Sequence, residues 1–94
     1  KPHVFFDPPQ VRLSTARFVS RGAKRGVRLD ARTQLLFAGA RFFLNGEPID
    51  APRADRARMR QLADDRHIES TAGWSPAGLD LLHEWYRCGF LAIR

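Results

Sequence analysis

The chain has 94 residues, a formal net charge of +6 and an ordinary apolar fraction of 44%, which is typical of one folded domain with a single modest core. This composition excludes disorder over the whole length, and no apolar run approaches the ~20 residues that a membrane helix needs, so no membrane partner is expected. The single Cys88 excludes an internal disulfide and fits a reducing, cytoplasmic compartment.

Residues 1–13 are predicted to form a linker from an upstream domain that is missing here, and residues 14–94 are predicted to form the folded domain. The chain does not begin with Met, and its basic start soon reaches Asp7-Pro8-Pro9, which is neither a signal peptide nor a helix interior. Ser14 is a plausible N-cap for a short helix over residues 15–23, and Gly22 and Gly26 are expected to mark its end.

Extended segments are predicted at 27–30, 33–37 and 41–44. Asn45 and Gly46 both tolerate positive φ, so this pair predicts a tight structural turn into Glu47-Pro48-Ile49. Because Pro48 cannot donate to a strand ladder, the last segment should lie at an edge or outside the sheet.

Two further helices are predicted, over about 53–65 and 76–88, the second starting at Ser75-Pro76 and stopping at Gly89. Residues 90–93 alternate as a final strand. The order helix, three short strands, helix, helix, strand predicts an α+β domain of winged-helix-like topology. The side chains expected in its core are Leu62, Leu82, Trp85, Phe90 and Leu91.

His67-Ile68-Glu69, followed by His83, mimics the HxD/E…H pattern of non-haem iron sites. Such sites need ligands that converge from rigid elements, whereas Glu69 is expected at a loop edge and His83 on the last helix. We therefore interpret His67 as a helix-terminal residue and His83 as a solvated one, and an independent metal enzyme remains the third-ranked hypothesis. No metal ligand is assigned.

Cys88 and the Asp64-Asp65 pair are the remaining chemical candidates. A catalytic thiol needs a base and an electropositive pocket, and a lone Cys beside a helix-stop glycine is typical of a core residue. Adjacent helical residues such as Asp64 and Asp65 do not face each other. The sequence has no nucleophile elbow, phosphate-binding loop or CxxC motif, so no catalytic residue is assigned.

Basic side chains cluster on and after the first helix, and spacings of three and four place most of them on one face. This cluster could contact phosphates of a nucleic acid or the ribosome, but a solvated face or salt bridges to a neighbouring domain are favoured over that interpretation, because charge alone is a weak signal. Its members are Arg17, Arg21, Lys24, Arg25 and Arg28. The last helix carries Asp80 and Glu84, which would repel phosphate and argue against a DNA-reading helix.

Phe42 and Phe43 are adjacent in a predicted strand, so at least one of them must face outward. An exposed Phe would suit a domain interface, and both are candidates for that contact.

Three segments resemble the C-terminal winged-helix domain of bacterial ribosomal oxygenases. They are Phe43-Leu44-Asn45-Gly46-Glu47-Pro48-Ile49-Asp50-Ala51-Pro52, then Leu62-Ala63-Asp64, and the closing Trp85-Tyr86-Arg87-Cys88-Gly89-Phe90-Leu91. The family consists of JmjC-type, cupin-fold hydroxylases that depend on iron(II) and 2-oxoglutarate and modify an arginine of a large-subunit ribosomal protein.

The resemblance implies that the chemistry belongs to an upstream jelly-roll domain, whose HxD…H ligands match no position of this chain. This chain would then be a non-catalytic module with no cofactor of its own. Its expected partners are the upstream catalytic and dimerisation domains and the ribosomal protein substrate. The alternative is a nucleic-acid-binding winged helix that uses the basic first helix.

Overall fold

The computed structural model describes residues 5–94, and the first four residues of the expected linker lie outside this range. The described part is an α+β fold. Its helices are α1 (Thr15–Arg25), α2 (Arg56–Asp65) and α3 (Pro76–Arg87), with a 3₁₀ turn at Arg53–Asp55 leading into α2. Its strands are β1 (Val27–Leu29), β2 (Leu35–Ala38), β3 (Arg41–Leu44), β4 (Glu47–Ile49), β5 (His67–Ile68) and β6 (Leu91–Ile93).

The described strands form two antiparallel sheets of three strands each. One sheet has the order β5-β1-β6 and joins distant parts of the chain. The other has the order β2-β3-β4 and is a continuous meander. Asn45 and Gly46 connect β3 to β4 with φ values of 51° and 84°, the doubly left-handed geometry of a tight hairpin turn. The predicted turn is confirmed, and Pro48 lies in an edge strand as predicted.

Helix α1 runs two residues beyond its predicted end. Gly22 was expected to help stop it, yet it lies inside the helix and is buried. A Cβ atom at this position would lie 2.6 Å from Thr71 Oγ1, so this glycine allows close packing instead. Gly26, with φ of 75°, ends the helix. The other end is capped as predicted, since Arg17 N–H donates to Ser14 Oγ.

The start of α3 is held by a buried carboxylate. Asp55 is fully buried, and it accepts hydrogen bonds from Ser75 N–H, at 2.8 Å, and from the Ser75 hydroxyl. The same hydroxyl oxygen accepts from Gly78 N–H at 3.1 Å, which is the predicted N-cap. Asp55 therefore links the 3₁₀ turn to the last helix through Ser75.

The core lies between the helices and the inner faces of both sheets. Leu62, Leu82, Trp85 and Leu91 are buried, as predicted. Its other large members include Phe18, Val27, Leu29, Leu35, Phe42, Leu44, Met59, Ile68, Trp74 and Tyr86.

Two predicted positions differ from the structure. Phe90 is only partly buried and packs against the edge of the core, because it lies just before β6, in which Leu91 takes the inward position. Its ring instead packs edge-on against Phe6 at 4.8 Å. Phe42 is 1% exposed and belongs to the core, so it is not available as an interface residue. Phe43, its neighbour on the opposite face of β3, is half-buried.

Residues 5–13, here called the N-terminal segment, have neither helix nor strand but are bound to the domain. The Tyr86 hydroxyl donates to Val11 O at 3.3 Å and accepts from Leu13 N–H at 3.1 Å. Leu13 O lies 3.1 Å from His83 Nε2. The described part of the predicted linker is thus docked on α3.

Candidate interaction surfaces

His67, Glu69 and His83, which were considered as iron ligands from the sequence, do not come together in the structure. His67 and Glu69 line a shallow groove of about 370 Å³ beside α2. His83 instead lies 3.4 Å from Thr15 Oγ1 through Nδ1, and its ring packs 5.2 Å from that of Phe18. Among residues 5–94, no three His, Cys, Asp or Glu side chains are placed to hold a metal ion. The donor set present here does not fit ferrous iron.

Cys88 lies at the end of α3 in a setting that disfavours its thiolate. The thiol is half-buried, and this burial raises its pKa. The Glu84 carboxylate, whose Oε1 lies 3.9 Å from Sγ, raises it further. A thiol held in its protonated form is a poor nucleophile.

The basic side chains predicted to cluster do lie together and are exposed. This surface is called the basic face and consists of Arg17, Arg21, Lys24, Arg25 and Arg28. The first four lie on α1, a helix that contains no acidic residue. Within residues 5–94, none of the five takes part in an ion pair. The five charges are therefore not neutralised by carboxylates of the described structure.

Three arginines outside the basic face have partners within the fold. Arg32 pairs with Asp30 through Nε and Oδ1 at 2.8 Å, and this contact lowers the pKa of the Asp30 carboxyl to about 2. Arg87 pairs with Glu84 at 3.2 Å. Arg66 donates to the carbonyl oxygen of Asp30 at 2.8 Å. These cations serve the fold, whereas those of the basic face remain available to a partner.

A second exposed surface is apolar and lies on the outer face of the β2-β3-β4 sheet. Leu36 is opposite Phe43, and Phe43 is opposite Pro48, so the three side chains form one row across the sheet. Leu36 is 58% exposed and Pro48 is also exposed. The Arg41 guanidinium lies 5.8 Å from the Phe43 ring centre and partly covers it. This surface, Leu36, Phe43 and Pro48, is called the apolar row.

The order of these elements, with two helices after the first strands and a closing strand beside β1, matches a known family. The family model described as ROXA-like winged helix matches residues 1–92. The chain belongs to the ROXA-like winged-helix family. None of the curated proteins compared with it matches this chain.

Solved structures share the fold of this winged helix. A structure of YcfD, a ribosomal oxygenase from Escherichia coli, superposes with a TM-score of 0.78 at 18% identity and covers 98% of this chain. A structure of the same protein in complex with cobalt and 2-oxoglutarate gives a TM-score of 0.76 at 18% identity, with the same coverage. The chain spans 26% of the length of these proteins.

Helix α3 of this winged helix presents an acidic outer surface. Asp80 and Glu84 are exposed on it, and the Arg87 charge is paired with Glu84. In DNA-reading helix-turn-helix proteins the recognition helix lies in the major groove, between two rows of phosphates. Exposed carboxylates on α3 would repel those phosphates.

No helix within residues 5–94 is long and apolar enough to span a bilayer.

Sequence reasoning found the basic face and named Phe43 of the apolar row as a candidate, but it missed Leu36 and Pro48. Helical spacing alone places Arg17, Arg21 and Lys24 on one side of a helix. Leu36 gave no comparable signal, because Leu35 and Phe37 beside it are also apolar and alternation alone does not say which of them faces the core. The row becomes visible only when the strand register is known.

Proposed function

We propose that this winged helix is the non-catalytic C-terminal module of an iron(II)- and 2-oxoglutarate-dependent oxygenase that hydroxylates a ribosomal protein. Membership of the ROXA-like family supports this proposal, as does the fold shared with a protein described as a ribosomal oxygenase and solved with 2-oxoglutarate. This chain spans about a quarter of that protein's length, as its 26% coverage states. A ribosomal protein substrate would place the parent enzyme in the cytoplasm.

The iron and 2-oxoglutarate would be held by the parent's catalytic domain. Among residues 5–94, the candidate ligands do not fit iron, because His83 is engaged with Leu13 and Thr15, away from the groove that His67 and Glu69 line. When bound in the parent, these cofactors would supply the oxidative chemistry. The contribution of this chain would be binding and support.

The observation that carries the proposed role is the apolar row. Leu36 is 58% exposed, and its cross-strand neighbours Phe43 and Pro48 extend the same apolar strip over three strands. Burying such side chains against a partner is worth about 1.5–3 kcal/mol each when burial is complete. We assign the row to contact with the catalytic and dimerisation domains of the parent, where it would support the dimer or the bound protein substrate.

The first test is the reading frame that precedes Lys1. The proposal expects it to continue upstream into a jelly-roll domain with an HxD…H set of iron ligands. A frame that encodes no such domain would refute the proposed parent.

The second test measures 2-oxoglutarate turnover by the full-length protein with its ribosomal protein substrate. Leu36→Asp puts a charge into the apolar row and should lower kcat/KM by roughly tenfold or more, since docking would lose at least about 1.5 kcal/mol. Ala57→Asp is the control, because Ala57 is also exposed but lies on α2, outside both the row and the N-terminal segment. Equal turnover by wild type and Leu36→Asp would contradict the docking role.

A further inference from the structure

We propose that the basic face binds the phosphate backbone of RNA. The choice of RNA over DNA rests on the proposed function, because a module of an enzyme that acts on a ribosomal protein would meet ribosomal RNA. The existence of a polyanion-binding surface does not rest on it, since that part follows from the placement and the pairing of the charges.

The basic face forms a continuous strip. Arg17, Arg21 and Arg25 are four residues apart on α1, and eight residues of helix span about 12 Å along its axis. Lys24 lies beside the strip, one turn after Arg21. The adjoining side of α1, about 100° round the helix from Arg17 and Arg21, is held in the core by Phe18 and Gly22, both buried. The helix therefore cannot turn these cations inward, and they face solvent as a set.

Arg28 extends the strip onto the β5-β1-β6 sheet. It is the exposed residue of β1, and its cross-strand neighbours are His67 on one side and Ala92 on the other. Neither neighbour is a carboxylate. Gly26, which joins α1 to β1, packs closely against the backbone of Glu69. Glu69 is thus an acidic neighbour of this junction, and Asp7 and Asp30 line the same groove as Arg28. In the described structure none of these three carboxylates makes an ion pair with any of the five cations.

Exposed arginines without an ion pair in the described structure also occur elsewhere, for example Arg12 and Arg53. What distinguishes the basic face is the density of its cations along one helix, while the carboxylates of Asp30 and Glu84 pair with Arg32 and Arg87 instead. Guanidinium groups bind phosphate through two parallel N–H donors, and four of the five residues are arginines. Because α3 carries exposed carboxylates, the expected mode is contact with the backbone rather than readout of base sequence.

This mode predicts a specific salt dependence. Each phosphate contact on a single strand contributes about −0.7 to the slope of log K against log salt, so five contacts predict a slope of about −3.5. Removing three contacts should reduce the slope to about −1.4. At roughly 0.1 M salt the same removal should weaken binding by about 100-fold. The reason is that the three lost contacts contribute a factor to the binding constant that varies as the salt concentration to the power of about −2.1.

The experiment is a fluorescence-anisotropy titration of the 94-residue chain against a labelled single-stranded RNA, an RNA hairpin and a duplex DNA of equal length. The test variant is Arg17→Gln/Arg21→Gln/Arg25→Gln. The control variant is Arg12→Gln/Arg41→Gln/Arg53→Gln, which removes the same charge from exposed arginines outside the basic face. Circular dichroism of both variants verifies that they remain folded, so a loss of binding can be assigned to the surface.

The proposal expects RNA binding with a slope near −3.5, the predicted loss in the test variant and at most a small loss in the control. Equal weakening by the two variants would overturn it, because net charge alone would then explain binding. Binding of duplex DNA as tightly as RNA would overturn the assignment to RNA. Absence of binding to all three would overturn the surface itself, and an acidic protein would become the alternative partner. None of these results bears on the upstream reading frame, so the two proposals fail separately.

Discussion

Replacement of Asp55 tests how the last helix is positioned. This carboxylate is fully buried and accepts two hydrogen bonds from Ser75, one from the amide and one from the hydroxyl. Hydrogen bonds to a charged group contribute about 1.5–3 kcal/mol each. The Ser75 hydroxyl also caps α3 by accepting from Gly78 N–H, and a lost cap costs about 1 kcal/mol.

Asp55→Ala should therefore lower the free energy of unfolding by about 3–4 kcal/mol, allowing for non-additivity within one network. For a domain of this size, 1 kcal/mol shifts Tm by about 4–8 °C, so Tm should fall by about 15–30 °C. Asp55→Asn keeps one acceptor for the Ser75 amide and should lose less, about 1–2 kcal/mol.

Thermal unfolding followed by circular dichroism measures these differences. Asp64→Ala removes an exposed carboxylate from α2 and should stay within about 0.5 kcal/mol of wild type. The reasoning would be refuted if Asp55→Ala melted within about 5 °C of wild type, or if Asp55→Asn were as damaging as Asp55→Ala.

Two further predictions concern a glycine and a pH dependence. Gly78→Ala would usually stabilise a helix by about 1 kcal/mol, but here the new Cβ would run into the same buried carboxylate, so Tm should fall. Asp30 has a pKa lowered from 3.8 to about 2, first by its hydrogen bond from Arg32. The contribution of the ionised Asp30 carboxyl to the stability of the fold is complete above about pH 4 and should be lost as the pH falls towards about 2. Arg32→Ala should remove this part of the acid dependence of Tm, and an unchanged dependence would contradict it.

Local signals in the sequence were sufficient to predict those parts of the structure that depend on residues close together in the chain. The Asn45-Gly46 turn needs positive φ at two adjacent positions, and few other pairs provide it. Ser14 and Ser75 cap helices through amides three residues ahead. Alternation along β3 required that Phe42 and Phe43 face opposite sides, although which of them is buried depends on where the rest of the chain packs.

Contacts between distant residues could not be predicted in this way. Asp55 and Ser75 are twenty residues apart, and no sequence period relates them. The N-terminal segment was expected to be a linker, yet Tyr86 binds its backbone from more than seventy residues away. Phe90 was expected in the core for its apolar character, whereas its contact with Phe6 follows from that docking.

The two candidate surfaces also differ in how much of each the sequence can predict. Spacing along α1 predicts that Arg17 and Arg21 share a face, but their freedom from ion pairs within the described residues depends on where every carboxylate lies. The apolar row depends on strand register, because Leu36 and Phe43 become neighbours only when β2 pairs with β3.

The most direct test of the docking role is photo-crosslinking of the full-length protein with a photoreactive phenylalanine analogue in place of Leu36. The account predicts crosslinks from this position to the upstream catalytic or dimerisation region, and few from the same analogue in place of Ala57, which is exposed on α2 and lies outside both the apolar row and the N-terminal segment. An absence of such crosslinks from position 36, or crosslinks no stronger than those from position 57, would contradict it.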